Sequence, residues 1–93
     1  MNKEFARKIP DIVRSQKLLT ADNPIDNAQV RQGNYQMMLL CAVYYEFLAP
    51  QEKQNIQCVS CLRRIKNIFV AMKGALMELE KEYQLLNFLK NEN

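Results

Sequence analysis

Residues 58–86 read CVSCLRRIKNIFVAMKGALMELEKEYQLL, and within them Cys58, Leu62, Ile65, Phe69, Met72, Leu76, Leu79, Tyr83 and Leu86 recur at alternating steps of four and three. At about 3.6 residues per turn these side chains fall on one narrow stripe, the pattern by which a long helix buries a face against other helices. Burial of such side chains contributes roughly 1.5–3 kcal/mol each before chain entropy is subtracted. No other stretch offers as much, so the spacing predicts a C-terminal helix that acts as the spine of the fold. Gly74 lies inside it and costs about 1 kcal/mol relative to alanine. A continuous helix is expected there, with Gly74 marking a place where another backbone comes close.

Working back from the spine, Pro50-Gln-Glu-Lys-Gln-Asn carries a proline suited to a first helical turn and an acid, Glu52, suited to a helix N-terminus. A helix is expected to restart there, although Ile56 is out of phase with the seam, so residues 51–57 read as a short separate turn or a looser lead-in. Before Pro50 a second long element is expected, starting where either Asn23, with Pro24 at the first helical position, or Asp26 or Asn27 supplies a cap. Val30, Asn34, Met37, Cys41, Tyr44 and Leu48 share one stripe of it. From Met37 to Leu48 it is apolar nearly all round, which places it centrally in a bundle or across an oligomer interface. Its polar first half, Arg31 to Gln36, is expected to project into solvent or toward a partner. Thr20 to Asn27 is the clearest loop, since Asp and Asn side chains compete for backbone hydrogen bonds. Pro10 breaks the N-terminal segment and opens a short helix to about Leu19, with Ile12, Val13 and Leu19 inward and Lys3, Arg7, Lys8, Arg14 and Lys17 on a solvated face.

Ninety-three residues with two glycines, three prolines and a 48% hydrophobic share make one domain, 1–93, of ordinary globular composition biased to helix formers. The expected fold is all-α, a small bundle of three principal helices with a long C-terminal one. The first twenty residues are charged and broken by Pro10, and no apolar run nears the roughly 20 residues of a spanning helix. Three cysteines, an odd count, fit a reducing compartment with free thiols. A soluble cytoplasmic protein with no membrane partner is expected.

A net charge of +3 is too small to argue for nucleic acid, but it is unevenly spread. Arg63, Arg64, Lys66 and Lys73 are basic, whereas Glu78, Glu80 and Glu82 follow on the same helix. This order opposes the helix dipole, and an antiparallel copy would correct it by setting Arg63, Arg64 and Lys66 against Glu78, Glu80 and Glu82. Tyr35, in a polar setting, is the one tyrosine expected as a contact residue; Tyr44, Tyr45 and Tyr83 read as core.

The chemistry-bearing motifs are few. Cys58-Val-Ser-Cys61 has half the ligands of a zinc site, but the chain has no histidine and only Cys41 as a third ligand. No βαβ pattern supports a thioredoxin-like reading, so both cysteines are expected in the core. Glutamates two apart on a helix face different ways and form no acid/base pair. No catalytic residue, metal or cofactor is expected. The sequence points to a non-enzymatic helical interaction protein, a homo-oligomer or a small subunit or inhibitor docking on a larger protein, through Arg63, Arg64, Lys66, Lys73, Glu78, Glu82 and Tyr35. The alternative is a small nucleic-acid-binding protein using Lys3, Arg7, Lys8, Arg14 and Lys17 with the basic residues from 63 to 73.

Overall fold

The computed structural model describes residues 2–20 and 22–91, and these form an all-α fold without strands. Helix α1 spans Asn2–Ala6. Helix α2 starts as Asp11–Val13 and continues through a π-helical turn, Arg14–Leu18. Helix α3 is Pro24–Asn27, α4 runs Tyr35–Val43 and closes in a second π-helical turn, Tyr44–Leu48, and α5 is Val59–Asn91. Five helices therefore replace the three expected, and α5 is the long one. Its 33 residues rise about 50 Å, which matches the 49 Å long axis of the molecule.

The second long element is shorter than the sequence suggested because two asparagines each cap a helix. Asn23 Oδ1 accepts the Ile25 amide at 2.9 Å and starts α3, with Pro24 at the first helical position. After one turn the chain becomes extended at Ala28, and Gly33 takes φ +84, a left-handed conformation that a Cβ disfavours. Asn34 Oδ1 then accepts both the Met37 amide at 2.9 Å and the Gln29 amide at 3.2 Å, so one side chain caps α4 and holds the loop before it. The polar residues 31–34 thus belong to a turn, and Asn34 is a cap rather than a member of a stripe.

Both π turns end their helices with an amide reaching back five residues, Leu19 to Arg14 at 3.1 Å and Ala49 to Tyr44 at 2.8 Å. The wider register in α4 turns Tyr44, Tyr45 and Leu48 inward together. Pro50 follows, but no helix restarts after it. Residues 51–57 are irregular, and α5 begins with Cys58 at the N-cap position, its carbonyl accepting the Leu62 amide at 3.0 Å.

The seam packs as its spacing requires. Leu62, Ile65, Phe69, Met72, Leu76 and Leu79 are all buried, against Met37, Leu40, Cys41, Tyr44 and Leu48 of α4, Ile25 of α3, Leu18 of α2 and the α1 side residues Ala6 and Ile9. The chain fills its own seam. Burial then fades: Tyr83 is half-buried and Leu86 is 63% exposed. In α2 the inward face is Arg14 and Leu18, four apart, so Ile12 lies off it and is 59% exposed, contrary to the expected inward position. Gly74 is exposed, with open space where a Cβ would stand, so no backbone of this chain approaches it. No helix among the described residues is long and apolar enough to cross a membrane.

Candidate interaction surface

The charges of α5 are answered mostly from within the chain. On its basic half, Arg64 donates to Glu52 at 3.0 Å and to the Tyr44 hydroxyl at 3.1 Å, and that hydroxyl donates to Glu52 at 2.6 Å. The hydrogen bond from Tyr44, and then that from Arg64, hold the Glu52 carboxyl below its ordinary range. Burial, and then the bond to Glu52, push the Tyr44 hydroxyl up, and the Arg64 guanidinium is raised chiefly by its bond to Tyr44. Lys66 donates to the Ala28 carbonyl, and Lys73 grips both Asp26 oxygens, at 2.8 and 2.6 Å.

On the acidic half, Lys3 pairs with Glu82 at 2.6 Å and lowers its carboxyl, while Arg14 faces Glu80. Asn2 also donates to the Ala71 carbonyl at 3.1 Å, so α1 lies along α5 between Ala71 and Glu82. Arg14 is only 2% exposed, where a solvated position was expected. Its guanidinium binds Asp11 and the Ile9 carbonyl, and its Nε stands 3.5 Å from Glu80 Oε2 without a hydrogen bond. A charge this deep needs its counterion, because desolvation of either partner alone is costly.

These contacts redistribute the candidate residues. Arg64, Lys66, Lys73 and Glu82 are engaged within the chain, whereas Arg63, Glu78 and Lys81 are exposed and have no ion pair among the described residues. Tyr35 is 65% exposed on the first turn of α4. Of the basic N-terminal set, Lys3 and Arg14 are tied to α5 or α2. Arg7, Lys8 and Lys17 remain exposed, with the Lys8 ammonium 5.2 Å from the Phe5 ring centroid.

The cysteines depart from expectation as well. Cys58 and Cys61 are half-buried at the start of α5, outside the core, and form a disulfide, so these two thiols are not free; Cys41 is free and buried, and burial pushes its thiol up. The reason is local. With residues 51–57 irregular, Cys58 caps the helix instead of riding on its buried face.

A further surface, which the buried seam does not predict, lies on the back of α5. Val70, Gly74, Met77, Lys81, Leu85 and Phe88 are all exposed and follow at steps of four, three, four, four and three. This is a second stripe, turned away from the buried seam, with large apolar side chains at Val70, Met77, Leu85 and Phe88. Its signal was present in the sequence, because Leu85 and Phe88 are out of phase with the first seam. Comparison with protein-family models, curated proteins and solved structures finds no match.

Proposed function

We propose that the chain is a helical interaction module that pairs with a second copy of itself, antiparallel, through the back of α5. The observation that carries this reading is the exposed stripe at helical spacing, apolar at Val70, Met77, Leu85 and Phe88, on a helix whose opposite stripe is already filled. Contiguous exposed apolar surface of this kind marks an interaction site more often than scattered single residues do. A crossing between Met77 and Glu78 sets Val70 of one copy opposite Leu85 of the other, and Gly74 opposite Lys81. The bare Gly74 surface admits the long lysine stem, and Lys81 of each copy reaches toward Glu78 of the other. Both of those charges are unpaired among the described residues. A two-fold pair of this kind closes without further growth.

Light scattering across protein concentration tests the proposal. The wild-type mass should approach twice 10.9 kDa. Met77→Asp with Leu85→Asp should return it to that of one chain with the circular dichroism unchanged, since both side chains are about half exposed or more. A wild-type chain that stays monomeric at hundreds of micromolar overturns the reading, as does a double variant that still dimerises.

A further inference from the structure

The disulfide at the start of α5 has no place in the pairing just described, and its setting is that of an exchange site. We infer that Cys58 and Cys61 form a redox-active dithiol that exchanges with thiols and disulfides of other molecules, with Cys58 as the attacking and attacked sulfur.

Three observations lead there. First, the bond joins residues three apart within about one helical turn, and so short a loop restricts the unfolded chain little. Second, the segment leading to it is held by other means: Glu52 by Tyr44 and Arg64, and the Asn55 amide by the Tyr45 hydroxyl at 3.2 Å. The pair therefore keeps its geometry when the bond is open. Third, the Cys58 sulfur is the N-cap acceptor of a 33-residue helix, taking the Cys61 amide at 3.2 Å with the Ser60 hydroxyl 3.1 Å away. An amide donor and the positive end of the helix dipole favour a thiolate at that atom, and thiolate is the reactive form. Both sulfur-bearing residues are half-buried, and the exposed Ile56 and Val59 flank them with apolar surface.

The chemistry balances as follows. A substrate thiolate attacks Cys58 Sγ, the Cys58–Cys61 bond breaks, and Cys61 leaves with the electron pair and takes up a proton. A second substrate thiolate attacks the substrate sulfur of the mixed disulfide, giving the substrate disulfide and the Cys58 thiolate. Two electrons pass from two thiols to the protein disulfide, and the reverse sequence reduces a substrate disulfide.

The test uses the full chain in glutathione redox buffers. The bond should open and close reversibly while helix content stays constant. In the reduced protein iodoacetamide should label Cys58 at least tenfold faster than Cys61, with Cys41 unlabelled. Cys61→Ser should trap a glutathione mixed disulfide at Cys58, whereas Cys58→Ser should not trap one at Cys61. A parallel arm with insulin and dithiothreitol separates the sources: faster insulin precipitation extends the substrate to protein disulfides, and no acceleration alongside a trapped glutathione adduct restricts it to small thiols. A bond that opens only when the protein is unfolded, equal labelling of Cys58 and Cys61, or no adduct in Cys61→Ser overturns the inference.

Discussion

Arg14→Ala is the substitution that most severely tests how the N-terminal segment is fastened. Arg14 is 2% exposed, and its side chain serves Asp11, the Ile9 carbonyl and Glu80 at once. Removing it leaves Glu80, with only 13% of its side chain exposed, facing an emptied space with Oε2 lacking any hydrogen bond. Breaking a buried pair by deleting one partner costs about 3–5 kcal/mol. The lower end applies because Glu80 keeps some access to water and the pair stands apart by 3.5 Å. A loss of about 3 kcal/mol is a large part of the roughly 5–15 kcal/mol that holds a domain folded, and lowers the Tm of a chain this size by about 12–24 °C. Urea and thermal unfolding followed by circular dichroism measure both. The double change Arg14→Met with Glu80→Met should recover most of the loss, because a buried ion pair is replaceable by apolar groups of similar volume. A loss below about 1 kcal/mol for Arg14→Ala, or no recovery in the double variant, refutes the reasoning.

The two glycines should respond in opposite directions. Gly33→Ala costs about 1–2 kcal/mol, since its φ of +84 strains an L residue and nothing crowds the Cβ. Gly74→Ala should gain about 1 kcal/mol in urea melts of the monomer, because it stands exposed inside α5 with open space around it, while weakening the dimer in light scattering by thickening the crossing. Acid should weaken the fold through Glu52 and Glu82. Their carboxyls are lowered in the folded state by hydrogen bonds from Tyr44 and Lys3 first of all, so the stability they contribute is present above the ordinary carboxylate range near pH ~4.3 and is lost as pH falls through the lower folded values. Urea midpoints measured from neutral to acid pH should decline less steeply in Glu52→Gln with Glu82→Gln than in the wild type.

The seam from Leu62 to Leu79 was legible because a repeat of four and three admits one buried face, and the break at Pro10 followed from the missing amide. Capping competition is what hydrophobic spacing does not resolve. Asn34 sits where a stripe position was expected, yet its side chain accepts two amides and opens a new helix. Composition alone cannot weigh that against continuation of α3. The charge reversal of α5 points in the sequence to countercharges from a second copy, whereas Asp26, Glu52, Lys3 and Arg14 of the same chain supply several of them from loops and short helices; Asp26 and Lys3 lie 47 and 79 residues from their partners, where sequence spacing gives no contact. The burial of Arg14 was hidden for the same reason, its partner Glu80 being distant in the chain. The back stripe could have been found by testing a second phase of the same helix.

Hydrogen exchange along α5 at two protein concentrations tests the central claim most directly, that this chain fills its own seam and leaves the back of the helix for a second copy. Amides from Leu62 to Leu79 should be strongly protected at both concentrations, and those from Gln84 to Lys90, whose side chains are exposed, should become protected only at the higher one. Protection of the seam that depends on concentration, or a C-terminal end that exchanges equally fast at both, would contradict it.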